Sequence, residues 1–134
     1  MNLTTVRDEL VEQLQSISGL TVSERPPTTL QPPHAYVNLI TAVEPSQTFE
    51  GLVRVEFEVL VLVAIADEDS AWDLLSGYCG TASGSLDYAV NANSTLDGSI
   101  QFADPVRFEN VGEIVEYGAA QYRAGTARIT VHAL

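Results

Sequence analysis

The sequence contains no lysine, and its 134 residues include only one cysteine, two histidines and one tryptophan. Without a lysine ammonium the chain cannot form a Schiff base, a P-loop or the lysine contact of protein kinases. One cysteine and two histidines are too few for a cysteine-rich zinc site or an H-E-x-x-H helix. These absences exclude most of the common enzyme classes before any motif is examined.

Positive charge is also scarce, since six arginines stand against 18 aspartates and glutamates and give a formal charge of −12. Such a surface repels phosphate backbones, so tight binding of nucleic acid through bulk charge is not expected. With 46% hydrophobic and 18% charged residues, the chain is apolar enough to fold and is not a disordered acidic tail. Its length predicts a single domain spanning residues 1–134.

Long hydrophobic runs are absent as well. The longest, residues 59–66, is far too short to cross a bilayer, so no membrane association is expected. Asp8, Glu9 and Glu12 interrupt the N-terminal segment, which therefore lacks the apolar core of a signal peptide. Because Cys79 has no second cysteine for an intramolecular disulfide, the cytoplasm is the expected compartment.

Hydrophobic periodicity predicts an α+β fold, in which a mainly antiparallel sheet carries an N-terminal helix and two further helices packed on it. Thr5 with Asp8 predicts a capping box for the first helix, and Gly19 predicts the turn that follows it. The predicted elements, in order, are a helix at 4–18, an extended stretch at 20–22, strands at 35–43 and 52–66, helices at about 67–79 and 85–92, and strands at about 100–109, 112–118 and 121–133. The prolines of residues 26–33 predict an arm over the surface.

The predicted strand 52–66 carries the strongest pattern in the chain. Apolar residues occupy every odd position, whereas Arg54, Glu56 and Glu58 occupy even positions in the first half and Leu60 and Leu62 in the second. One face of the first half should therefore be wet, and both faces of the second half covered. Fifteen residues would extend roughly 50 Å, so we expect part of this strand to project beyond the domain or to pair with another element.

The candidate chemical sites have simpler structural explanations. Residues 67–69 are all acidic and suggest a cation site. We expect instead that they begin a helix, with Asp69 or Ser70 as the N-cap, because carboxylates are favoured at a helix N-terminus. Cys79 with His34 or His132 suggests an activated thiolate, but a buried structural thiol is the favoured interpretation of Cys79. His132 should lie on a solvated edge. Glu56 and Glu58 suggest a carboxylate pair, but cross-strand pairing with arginines explains them better. No catalytic, metal-binding or cofactor-binding site is expected, and no cofactor.

The order of these segments resembles a known family. A helix leads to a proline-rich segment, a long valine-rich strand and D-E-D-S-A-W-D-L-L-S-G-Y, followed by S-T-L-D-G and, near the C-terminus, G-A-A-Q-Y-R-A-G-T-A-R-I-T-V. This layout resembles the tail terminator (tail completion) proteins of long-tailed bacteriophages, the family that includes the minor tail protein U type. The resemblance spans most of the chain and lies in length, element order and diffuse pattern.

The resemblance implies a non-enzymatic virion protein that is assembled in the host cytoplasm. Six subunits would form a ring at the head-proximal end of the tail tube, end tube polymerisation and offer a docking face to the head or neck connector. DNA would pass through the lumen without specific binding, which suits six copies of charge −12, or −72 in all. A closed ring would also cover the edges of an overlong strand.

We place the expected interface on two predicted hairpins, residues 44–59 and 113–125. Acidic side chains on the first should face the lumen or a partner. The residues expected at the interface are Glu50, Arg54, Glu56, Glu58, Tyr117, Tyr122 and Arg123.

Three alternatives remain open from the sequence. Another head–tail neck component, such as a stopper or head-completion protein, would bind the portal–adaptor complex instead of tube ends. A small acidic enzyme would show a deep pocket lined by several convergent polar groups. A binding module whose long strand adds to the sheet of another protein would stay monomeric until that partner arrives.

Overall fold

In a computed structural model of the protein, residues 2–45, 51–65 and 68–134 are described. They form helices and strands in the predicted order, which confirms the α+β class with a mostly antiparallel sheet. The elements are α1 (Leu3–Leu14), β1 (Thr21–Ser23), β2 (His34–Pro45), β3 (Val53–Ala64), α2 (Glu68–Tyr78), α3 (Leu86–Ala92), β4 (Phe102–Ala103), β5 (Arg107–Tyr117) and β6 (Ala120–Ala133).

The described strands form one sheet in the order β1-β2-β3-β6, with β4 and β5 following each other along the far side of β6. Only the β1–β2 pair is parallel. Strand β3 pairs with β6 along its whole length and with β2 from Val53 to Leu62. Of the two expected alternatives, pairing with other elements is the one observed, because β6 covers one edge of residues 53–64 and β2 covers the other edge as far as Leu62.

The main core lies between one face of the sheet and the three helices. The odd positions of β3 alternate inward, and Val55, Phe57, Val59, Val61 and Val63 are fully buried. From the helices come further buried side chains, including Val6, Leu10, Leu14, Leu75, Leu86 and Val90. Each fully buried side chain of this size contributes about 1.5–3 kcal/mol, so the helices are fixed to this face.

The helix ends differ from the prediction by a few residues. The side chain of Asn2 accepts hydrogen bonds from the backbone N–H groups of Thr4 and Thr5, so Asn2 is the N-cap of α1 and the predicted capping box is wrong. The helix ends at Leu14, four residues early, and Gly19 makes the following turn at φ +80°. Helix α2 already includes Glu68, so Asp69 and Ser70 lie in its first turn and neither is the N-cap.

A second, smaller apolar cluster lies on the opposite face of the sheet. Tyr36, Leu62 and Ala124 are buried there, and partly buried neighbours pack around them, namely Leu30, Leu60, Val115, Tyr117 and Tyr122. The proline-rich segment contributes Leu30, and the hydroxyl of Tyr117 donates to the carbonyl of Pro27. The prediction that both faces are covered in the second half of β3 is thus confirmed at Leu60 and Leu62, under residues 24–33, whereas Ala64 is exposed and Ala66 lies outside the described residues.

The prediction of a strand at about 100–109, the first of the three predicted C-terminal strands, is mostly wrong. Only Phe102–Ala103 pair with β6 as β4, and residues 107–109 belong to β5 instead. Pro105, which has no N–H to donate, separates the two strands. A bulge then interrupts β5 between Glu109 and Glu113, where Asn110 and Gly112 have φ of +52° and +94°.

Candidate interaction surface

A cluster of opposite charges lies on the first half of β3, on the sheet face opposite the three described helices. Arg54 reaches Glu44 at 2.9 Å and Glu56 at 3.0 Å. From β6, Arg128 contacts Glu58 at 3.3 Å, and it lies 3.9 Å from Glu56. We call the residues Glu44, Arg54, Glu56, Glu58, Arg107, Glu109 and Arg128 the charged cluster, since Glu109 bridges Arg128 and Arg107.

The charged cluster is nearly neutral in a strongly acidic protein. It contains three of the six arginines and four glutamates, so its formal charge is −1 out of −12. Glu58 faces Arg128 across the strands, as the cross-strand interpretation predicts, whereas the nearer arginine of Glu56 is Arg54 on the same strand. The two glutamates are therefore not a free carboxylate pair. Their side chains are largely buried, so this part of β3 does not present open acidic groups.

The two tyrosines expected at the interface belong to the second apolar cluster. The rings of Tyr117 and Tyr36 lie 5.7 Å apart, and Tyr122 is partly buried beside them. These side chains pack beneath residues 24–33, so in the monomer they hold the proline-rich segment against the sheet.

Arg123 lies on the opposite, helix-bearing face. Its guanidinium contacts Glu68 at 3.0 Å, donates to the carbonyl of Gly112 at 2.7 Å and lies 5.7 Å from the centre of the Trp72 ring. Trp72 packs directly over Gly112, yet 43% of its surface stays exposed. Arg123 therefore links α2 to β5 through its contacts with Glu68 and Gly112, beneath the exposed side chain of Trp72.

The structure thus distributes the expected interface residues over three places. Arg54, Glu56 and Glu58 lie together in the charged cluster, the tyrosines lie in the second apolar cluster, and Arg123 lies beside Trp72. Glu50 falls outside the described residues.

Sequence reasoning missed the two outer edges of the sheet. Strand β1 pairs only with residues 34–36 of β2, so within the described part of the chain the outer edge of β2 is unpaired from Val37 onward. Strand β5 likewise has β6 on one side and no described strand on the other. Leu39, Ile40 and Val43 are exposed on β2, as are Val111 and Ile114 on β5. Apolar residues on both faces of the predicted strand 35–43 were the available signal, but the pattern predicted only a strand there and no exposed edge.

His34 is buried, with 2% of its surface exposed, although the sequence suggested no partner for it. The backbone N–H of Gln31 donates to Nδ1 at 3.1 Å, so Nδ1 is an acceptor and the neutral ring carries its proton on Nε2. Nε2 then donates to the hydroxyl of Ser23 at 2.7 Å. In this tautomer the ring cannot accept the serine proton, so the pair does not form an activated nucleophile.

The other two candidate groups are held in place by packing. His132 was expected on a solvated edge, which is wrong, because Phe102 of β4 stacks on its ring at 4.3 Å and Asp104 lies 3.3 Å from Nε2. Cys79 is half-buried over Gly125, and burial raises the pKa of its thiol to about 11. The thiol is therefore protonated near neutral pH, as expected of a structural cysteine.

A cleft of about 440 Å³ opens between α1 and residues 22–28. The polar residues Gln15, Ser23, Glu24 and Arg25 are among those that border it. Among the described residues, no group of three or more His, Cys, Asp or Glu side chains is placed to hold a metal ion. No helix in the described ranges is both long and apolar enough to cross a membrane.

Comparison with known proteins gives no family for this chain. It matches no protein-family model and no curated protein sequence.

Proposed function

We propose that the protein is a structural subunit of a bacteriophage virion. It forms a ring, of six copies, at the head-proximal end of the tail tube. The ring ends tube polymerisation and provides the docking face for the head or neck. The resemblance of the segment order to tail terminator proteins supports this proposal, and so does the agreement between the expected and observed fold class.

The observation that carries the proposal is a single sheet whose two outer edges are both unpaired within the described chain. An unpaired edge carrying exposed apolar side chains is a site for further strand pairing, and soluble monomers usually protect it. A head-to-tail arrangement of identical copies covers both edges at once and closes into a ring when the rotation allows.

We further propose that DNA passes through the ring, and the charge of the chain supports this. Because the charged cluster is internally balanced, nearly all of the formal charge of −12 lies elsewhere on the subunit. A lumen bounded by six such subunits repels the phosphate backbone, so DNA moves through without sticking.

Electron microscopy of tube assembly tests this function. The tail tube protein of the same phage is polymerised in the presence and in the absence of this chain. We expect shorter tubes, each with a six-fold ring at one end, when the chain is present. Tubes that elongate equally in both samples and carry no ring contradict the proposal. Binding to the portal–adaptor complex instead of to tube ends would identify a stopper or head-completion protein.

A further inference from the structure

The direction of the strands decides how two copies of this sheet fit together. From β2 through β3 and β6 to β5, every neighbouring pair is antiparallel, so β2 and β5 run in opposite directions at the two outer edges. When identical copies follow each other in the same orientation, β5 of one therefore lies antiparallel to β2 of the next. The alternation of strands then continues across the junction without a break.

The exposed apolar side chains of the two edges lie on matching faces. Ile40 pairs with Phe57 and Val43 with Val55, so both belong to the helix-bearing face of the sheet. Ile114 pairs with Arg123, which in turn pairs with Val63 on that same face. Ile40 lies level with Ile129 of β6, whereas Ile114 lies level with Arg123, six residues further along the same strand. A second copy displaced by about 20 Å along the strand direction therefore brings the β2 row beside Ile114, in one apolar strip next to Trp72 on α2.

Charge favours this combination of edges over the symmetric ones. The unpaired part of β2, residues 37–45, contains one charged residue, Glu44, which is paired with Arg54, whereas β5 carries Arg107, Glu109, Glu113 and Glu116. Two β5 edges would bring together two strands that each carry three glutamates and one arginine, and this excess of like charge is destabilising. Two β2 edges are compatible in charge but leave both β5 edges open, so of the three combinations only the β2–β5 pairing covers both long outer strands of each copy.

We infer that the outer edge of β2 binds the outer edge of β5 of a second copy of this chain, antiparallel, with Ile40 and Val43 packed against Ile114 and Trp72. This inference rests on the proposed function for the ring, and it assigns the surfaces that make the ring.

Two exposed substitutions test the pairing, one on each edge. Ile40→Lys damages only the β2 edge and Ile114→Lys only the β5 edge, at side chains that are 37% and 50% exposed and so allow folding. The matched control is Tyr88→Lys on α3, at a side chain that is 53% exposed and lies beside the C-terminal end of α1. Self-association is measured by light scattering from micromolar to millimolar concentration, and folding by circular dichroism.

We expect the unsubstituted chain and Tyr88→Lys to associate, and each edge variant alone to remain monomeric. An equal mixture of the two edge variants should give a one-to-one dimer that grows no further, because one intact β2 edge meets one intact β5 edge. Association of Ile114→Lys alone would show β2–β2 pairing, and association of Ile40→Lys alone would show β5–β5 pairing. Either result overturns the inference, as does an unsubstituted chain that stays monomeric throughout.

The failure of this inference and that of the proposed function are distinguishable. If the mixture dimerises as expected but the chain never caps tail tubes, the edge pairing holds and the phage function is wrong. If both edge variants cap tubes as well as the unsubstituted chain does, the function holds and the edge pairing is wrong.

Discussion

At the scale of single residues, His34 joins three parts of the chain. Its ring accepts a hydrogen bond from Gln31 in the proline-rich segment and donates one to Ser23 in β1, while its backbone belongs to β2. Burial lowers the pKa of this imidazole from its ordinary value of 6.5. Protonation would place a second N–H against that of Gln31, so the neutral ring holds the segment in place.

Stability should therefore fall in mild acid because of His34. Above pH 6.5 the ring is neutral in both states, and below it the unfolded chain takes up a proton that the folded chain resists. The free energy of unfolding then falls by up to about 1.4 kcal/mol per pH unit, until the folded-state pKa is reached. In His34→Asn the amide oxygen still accepts from Gln31, so this part of the pH dependence should vanish. Urea titrations at several pH values measure it, and equal slopes for the two proteins between pH 7 and 5 would refute this role.

At the scale of elements, the bulge in β5 is fixed by one contact with α2. Gly112 has φ +94°, and a Cβ placed on it would lie 2.8 Å from Cζ2 and Cζ3 of Trp72 and closer still to Cη2. The indole thus occupies the space that only a glycine leaves free. Together with Arg123, this contact positions the β5 edge that we assign to the second copy.

Gly112→Ala should displace Trp72 and loosen β5. Gly84 is the matched control, since its φ is +93° and nothing lies within 4 Å of its position for a Cβ. We expect Gly84→Ala to lose about 1 kcal/mol from backbone strain alone, and Gly112→Ala to lose about 2–3 kcal/mol because the ring must also move. Trp72 is the only tryptophan, so its fluorescence maximum should shift to longer wavelength in Gly112→Ala and not in Gly84→Ala. Equal stability losses with unchanged emission would show that the contact does not matter.

Hydrophobic periodicity predicted the positions of most helices and strands well and the contacts between them poorly. Alternation along β3 identified its buried face and its charged half, because strand period is a local property. The prediction that the charged half is wet is wrong for Glu56 and Glu58, because contacts with arginines leave both side chains largely buried. It did not place His132 beneath Phe102 or bring Arg128 between Glu56 and Glu58. Such contacts join residues far apart in the sequence, and only the pairing register of β6 determines them.

The candidate surface was harder to predict than the fold. Leu39 and Ile40 have the composition of core residues, and nothing local shows that β2 lies at the outer edge of the sheet. Tyr117, Tyr122 and Arg123 lie close together in sequence but point to opposite faces, because β6 alternates. Exposure at an edge follows from strand order, which the pattern of a single strand does not contain.

At the scale of the whole molecule, charge opposes the association that the edges favour. Each copy carries −12, so two copies repel each other until salt screens them. The screening length falls from about 10 Å at 0.1 M to about 3 Å at 1 M ionic strength, whereas apolar contacts between the edges do not weaken with salt. Assembly of the isolated chain should therefore be promoted by salt, the opposite of the behaviour of an interface held by ion pairs.

The most direct measurement of the central claim, that this protein acts by pairing its sheet edges with copies of itself, is sedimentation velocity of the unsubstituted chain over a range of salt and protein concentrations. We predict a monomer at low salt that converts, as salt rises, to a closed species of six times the monomer mass, without larger filaments. A chain that sediments as a monomer at every salt and protein concentration would contradict the account.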